Sequence, residues 1–377
     1  MTHRSTSHSR RLGLPMTCVL LILSGLSGTT STSAQTRAYV TNNSDHTVSV
    51  VDTATNTVIT NIPIEGFPLE VAITPDGTRA YVTNSAVFDA GSISVIDTAT
   101  NTVIATILNG SLPFVVAFAP DGARAYVTSF DTNSVLVVDT VTNTVIATIP
   151  VGIAPRGAAV TPDGTRLYVA DQVANIVSVI DTATNTVVAT IPVTNGANRL
   201  AITPDGTRVY VTNKDFSGSV SVIDTATNIV IATIATANNA ISVSEQVVAL
   251  TPDGTRAYVS NQLVDKVFVI DTATNTVIAT IPMGMFALPV GVAVTPDGLR
   301  VYVANQGFGT VSVIDTTTNT IIATIPVGSN PVGIAIMPSA APKTKDECKN
   351  DGYKKFPAPA GPFKNQGQCI KFVINSP

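Results

Sequence analysis

Apolar and polar residues alternate in short runs along most of the chain, as in Arg79-Ala80-Tyr81-Val82, Ile93-Ser94-Val95-Ile96 and Val103-Ile104-Ala105-Thr106-Ile107. Runs of this length, rich in Val, Ile, Thr and Tyr and bounded by Pro, Gly, Asp and Asn, predict β-strands, and none keeps a helical period. They recur in sets of four, A to D, and the set repeats seven times at intervals of about 42 to 48 residues. A marker proline recurs from Pro75 to Pro338, an arginine from Arg37 to Arg300 and an aspartate from Asp52 to Asp315. A period in the forties with four strands per unit predicts an all-β fold, a seven-bladed β-propeller with four antiparallel strands per blade.

The frame of the repeat predicts how the ring closes. The first unit opens at strand B, Arg37-Ala38-Tyr39-Val40, and the last ends on a strand A without a following B, Gly333-Ile334-Ala335-Ile336. Pairing the C-terminal inner strand with the N-terminal strands completes a blade and removes the two edges an open array would expose. Alanines three residues before each marker proline, from Ala72 to Ala335, leave room where inner strands converge on the axis.

The regular residues read as turn and packing parts. In Pro75-Asp76-Gly77 the proline presets φ and the glycine tolerates positive φ, and in Asp97-Thr98-Ala99-Thr100-Asn101 the Asp and Asn bond their own backbone. The tyrosines two places after each marker arginine, such as Tyr81, are expected to fill the space between blades. These A–B and C–D turns share one face. The D–A and B–C connections share the other, and they differ in every unit. Phe67, Phe88, Phe114, Phe130, Phe216, Phe286 and Phe308 fall in the variable connections, with charges that include Glu65, Asp131, Asp171, Lys214 and Asp265. Ligand-contacting residues tend to lie on variable loops carried by a rigid frame, so these phenylalanines are candidate contacts. Glu70, Arg156, Arg199 and Gln246 stand five or six residues before a marker proline, where they are expected at the mouth of the central channel.

Tyr81-Val82-Thr83-Asn84, together with the Pro-Asp-Gly and Asp-Thr-x-Thr-Asn turns, resembles the YVTN-type β-propeller repeat proteins of bacterial and archaeal surfaces over about residues 36–340. The resemblance implies a secreted or surface-associated propeller, often without assigned activity. Related propellers include lactonases, streptogramin lyases and quinoprotein dehydrogenases.

Composition changes the picture at the two ends. Arg4, Arg10 and Arg11, the apolar stretch Leu12 to Leu26, and Thr32-Ser33-Ala34 make residues 1–34 read as a signal peptide cleaved near Ala34. The mature chain is then expected to be secreted, periplasmic or at the cell surface, with no transmembrane segment. Residues 35–341 form the propeller, and 342–377 a basic tail in which Cys348 and Cys369 are expected to pair as a disulfide. The tail resembles a short two-cysteine module appended to bacterial exported proteins. The formal charge of −4 becomes −7 without the leader's three arginines, and a tail of +4 leaves −11 on the ring. An acidic ring argues against nucleic acid as a partner, because phosphate binding needs clustered Lys and Arg.

With the leader removed, His46 is the one histidine, which excludes multi-histidine metal sites and histidine-dependent hydrolase triads. There is no tryptophan, no C-x-x-C-H and no dinucleotide fingerprint, and Asp45-His46 reads as a solvated loop pair. No metal and no cofactor is expected. Two functions from different classes are compatible with these residues. The first is a monomeric, non-catalytic scaffold that holds a protein, glycan or cell-envelope partner on the variable face. The second is a lactonase- or lyase-like enzyme, with Glu70 as acid/base and Arg156 and Arg199 holding a small anionic substrate. The second requires these three side chains to converge.

Overall fold

A computed structural model of the 377-residue chain describes Met1 and residues 36–85, 91–108, 111–194, 196–214, 218–236 and 246–338. The expected signal peptide, Phe88, Phe216, Cys348 and Cys369 lie outside the described residues. Among those described, 28 strands form seven four-stranded antiparallel sheets, each a blade ordered A to D from the axis outward.

Blade 1 is assembled from both ends of the chain. Its strand A (Pro331–Ile336) pairs with strand B (Arg37–Asn42), and strands C (Thr47–Asp52) and D (Thr57–Pro63) follow. Ile336, Ala335 and Ile334 lie opposite Ala38, Tyr39 and Val40. Blades 2 to 7 are continuous in sequence.

Burial follows position in the blade. Strands B and C, such as Arg79–Ser85 and Ser92–Asp97, are buried on both faces because a neighbouring blade covers each. The outer strands keep mainly one buried side chain, Ile107 in Thr102–Leu108. In each outer strand the register skips one residue, Ile104, Ile146 or Ile278 for example, against strand C. Such a bulge twists an open edge and disfavours pairing with another chain.

The repeated Arg and Tyr join each blade to the next. Arg37 Nη1 donates to the Thr98 carbonyl at 3.0 Å and the Tyr39 hydroxyl to Asn101 Oδ1 at 2.8 Å. At the closing joint, Arg300 Nη1 donates to the Thr53 carbonyl and the Tyr302 hydroxyl to Asn56 Oδ1, each at 2.7 Å. The accepting Asn56 and Asn101 sit at φ near 55°, a left-handed conformation that Asn tolerates better than most side chains. Burial raises the tyrosine pKa values, which keeps these hydroxyls protonated as donors. The turn aspartates accept from the following residues; the Thr317 hydroxyl and then the Thr318 amide bring Asp315 down to about 2.

Nearer the axis, hydroxyls make a second set of joints. Thr41, Thr83, Thr128, Thr212 and Ser260 donate to the carbonyls of Leu69, Phe114, Arg156, Gln246 and Val290 on the next blade's inner strand, at 2.8, 2.9, 3.0, 3.0 and 2.6 Å. Blades 4 and 7 carry Ala170 and Ala304 at this position and Gly157 and Gly291 on their inner strands. A Cβ on Gly157 would stand 2.7 Å from the Asn198 carbonyl oxygen, and one on Gly291 would stand 2.3 Å from that of Val332. These two joints close by direct backbone approach instead of a hydroxyl bridge.

Candidate functional site

The inner strands of blades 2 to 5 are Phe67–Ile73, Pro113–Phe118, Pro155–Val160 and Ala197–Ile202. Strict alternation would send residues five and six places before the marker proline to opposite sides. The pairing is irregular at this point in all four strands, with skips between Pro68 and Val71, Pro113 and Val116, Pro155 and Gly157, and Ala197 and Leu200. A bulge re-aims side chains. Here it lets Phe114 and Arg156, six places before their prolines, meet Glu70 and Arg199, five places before theirs.

Arg199 Nη2 donates to Glu70 Oε1 at 2.5 Å. The two residues belong to blades 5 and 2, so the pair crosses the channel. Arg156 Cζ lies 4.5 Å from the Phe114 ring centroid and 5.4 Å from that of Phe130, and Arg199 Cζ lies 4.7 Å from Phe114. A guanidinium at this range is attracted by the ring quadrupole. The two rings are 6.2 Å apart. Arg199 is 7% exposed, and its Nε and Nη1 are buried with no hydrogen-bond partner among the described residues. Glu70's strand has room to approach blade 1 because Gly333 has no side chain; a Cβ there would be 2.7 Å from both Glu70 Cα and the Leu69 carbonyl.

The expected convergence of Glu70, Arg156 and Arg199 is therefore present, with Phe114 and Phe130 as its apolar side. Gln246 does not join it. This fully buried side chain accepts at Oε1 from Thr236 at 3.2 Å, while its carbonyl accepts from Asn198 and Thr212. Phe67 stacks on His46, with centroids 4.4 Å apart. Phe286 and Phe308 stand exposed on the connections flanking blade 7, at 69% and 51%. A constant-face cavity of about 210 Å³ between blades 5 and 6 is lined by turn residues such as Arg208, Asp205 and Asp253, and both carboxylates already accept from neighbouring threonines.

Asp45 and His46 act separately. Asp45 accepts from the Ser329 amide at 2.7 Å, and that bond lowers its pKa. His46 shares a left-handed backbone position with Asn133, Asn175 and Asp265, and each ties down the adjoining D–A loop. His46 does so through Nδ1, 2.6 Å from the Gly66 carbonyl. A carbonyl only accepts, so Nδ1 carries a proton.

Asp171 was expected in a variable loop but is the last residue of a strand, Arg166–Asp171, and is fully buried. It occupies the slot that holds Asn42, Asn84 and Asn213 in other blades, so the signal was the single change from Asn to Asp in Tyr168-Val169-Ala170-Asp171. Ser178 Oγ donates to its Oδ2 at 2.6 Å, and Oδ1 is buried without a hydrogen-bond partner among the described residues. Burial pushes its pKa up to about 6.

These observations define a class: a closed seven-bladed β-propeller with an Arg–Glu–Phe cluster set across one mouth of its channel. Residues 27–169 match the family model of the cytochrome D1 heme domain, a span that contains His46, Glu70, Phe114 and Arg156. The chain is similar to Kuenenia stuttgartiensis hydrazine synthase, at 25% identity and a TM-score of 0.64 over 71% of this chain and 88% of that one. It is also similar to a functionally unknown protein from Desulfotomaculum acetoxidans DSM 771, at 18% identity and a TM-score of 0.67 over 80% of this chain and 98% of that one. The dihydro-heme d1 dehydrogenase NirN in complex with DHE is 17% identical, with a TM-score of 0.59 over 79% of this chain and 74% of that one. The last two likenesses show the fold alone. Comparison with curated protein sequences gives no match.

These findings overturn the expectation of a non-catalytic surface scaffold. The findings against it are the match to a heme-domain family model over a span that includes Glu70, Phe114, Phe130 and Arg156, and the likeness to hydrazine synthase.

The donor set fits a haem-type group. Arg156 and Arg199 suit its acid side chains, and Phe114 and Phe130 suit its flat face.

Proposed function

We propose that the protein binds a carboxylate-bearing tetrapyrrole of the haem kind on its variable face, at the channel mouth. The observation that carries the reading is Arg199, nine-tenths buried beside Phe114 with Nε and Nη1 lacking hydrogen-bond partners among the described residues. Buried unpaired donors are costly, and an acidic ligand removes that cost. Arg156 and Arg199 would hold the carboxylates, and Phe114 and Phe130 would exclude water from the ring. When bound, an iron tetrapyrrole supplies redox chemistry that these side chains lack.

Titration with iron protoporphyrin should give a saturable Soret shift. Replacing both arginines by alanine should weaken binding roughly tenfold or more, since charge-assisted hydrogen bonds are worth about 1.5–3 kcal/mol each. No Soret shift, or equal affinity in the double variant, would overturn the reading.

A second reading, an enzyme acting on a small anionic substrate, is favoured by the convergence of Glu70, Arg156 and Arg199. The finer assignments support one another without resting on this site. The repeat motifs suit a YVTN-type propeller, and the leader-like residues 1–34 and the pair Cys348 and Cys369 suit an exported protein.

A further inference from the structure

The seven residues five places before the marker prolines are Glu70, Val115, Gly157, Arg199, Val247, Gly291 and Gly333. Five of them are glycine or valine, so blades close on the axis without charge at this position. Glu70 and Arg199 are the exceptions, and they find each other across the channel from blades 2 and 5. Burying an ion pair is a poor route to stability, because desolvation offsets most of the attraction. This one is also incomplete. Glu70 engages Nη2 of Arg199, while Nε and Nη1 remain buried without hydrogen-bond partners among the described residues.

We propose that Glu70 is a displaceable stand-in for a ligand carboxylate: it occupies Arg199 in the unliganded ring, and a flat carboxylate seated against Phe114 takes its place. The inference rests on reading this mouth as a carboxylate site, but not on the ligand being a tetrapyrrole. A planar carboxylate can use the guanidinium fork with two oxygens, and its ring can lie beside Phe114 and Phe130. An aliphatic acid gains only the first of these contacts. Glu70 therefore sets affinity by competition, and the phenylalanines set the preference for flat ligands.

The test uses benzoate, acetate and iron protoporphyrin as separate probes against the full chain, with calorimetry and thermal shift as readouts. Glu70→Gln should bind benzoate roughly tenfold or more tightly than the wild type, because the competing charge is gone. Arg199→Ala should lose that binding, and acetate should gain less than benzoate. Glu70→Ala should move affinity in the same direction, which keeps the test decisive if the glutamine variant folds poorly. Equal or weaker benzoate binding in both Glu70 variants would overturn the inference, as would absence of benzoate binding in every variant. The two readings separate cleanly. A benzoate gain without porphyrin binding removes the tetrapyrrole and keeps the stand-in; porphyrin binding without any gain in the Glu70 variants does the reverse.

Discussion

A chain cut after Val332 should lose its cooperative unfolding transition, whereas one cut after Pro338 should keep it. The first cut removes Ile334, Ala335 and Ile336, which are opposite Val40, Tyr39 and Ala38, and with them the inner strand of blade 1. It also removes Ile334 from the core that Val40, Val51 and Tyr302 share between blades 7 and 1. Each fully buried aliphatic side chain is worth roughly 1.5–3 kcal/mol. Ile334 is the one such side chain in the removed strand, and the larger loss comes from uncovering strand B, where Ala38, Tyr39 and Val40 are fully buried, so the sum approaches the total stability of a typical domain, about 5–15 kcal/mol. Thermal melts followed by circular dichroism would check this. An unchanged midpoint for the shorter chain would show that the ring does not depend on joining its ends.

Asp171→Asn should stabilise the protein at pH 7.5 and do little at pH 4. The folded-state pKa of Asp171, about 6, is above its ordinary 3.8, so the folded protein holds this proton more tightly than the unfolded chain does. Its favourable contribution is complete below about pH 4 and is lost as pH rises through 6. A shift of about two units corresponds to roughly 3 kcal/mol. In other blades the equivalent asparagine donates to the facing serine, as Asn42 does to Ser49 and Asn213 to Ser221, at 2.8 and 2.9 Å. An amide at 171 restores that arrangement and carries no charge. The expected gain is roughly 5–10 °C in melting temperature at pH 7.5, shrinking as pH falls. A gap that is absent, or that does not change between pH 7.5 and pH 4, would contradict it.

The repeat made the fold legible because its residues act locally or on the next blade. Pro-Asp-Gly and the left-handed Asn101 specify turns, and Arg37 and Tyr39 reach the adjacent C–D turn, so one period contains nearly all the information needed to stack the next. The site was legible in part. Glu70, Arg156 and Arg199 were found by their place in the frame, since they break a pattern that is otherwise apolar there. The involvement of Phe114 depended on inner-strand bulges that no alternation rule predicts. Gln246 had the same sequence signature as Arg156, yet a local partner, Thr236, holds it away from the cluster. Asp171 was misplaced because an acid at a strand end looks like a loop charge until the neighbouring blade and Gly152 are seen to enclose it.

The joints at Ala170 and Ala304 divide the inner hydroxyl bridges into two sets. Hydroxyl bridges run from blade 1 through to blade 4, and again from blade 5 to blade 7, but are missing between blades 4 and 5 and between 7 and 1. The hydroxyl bridges thus fall into two arcs, one of four blades and one of three, and at the two joints between them backbone approaches backbone near the axis while Tyr168, and Arg300 with Tyr302, still bond across farther out. Glu70 is in the longer arc and Arg199 in the shorter. The displacement of Glu70 proposed above would therefore also remove one side-chain tie between the two arcs.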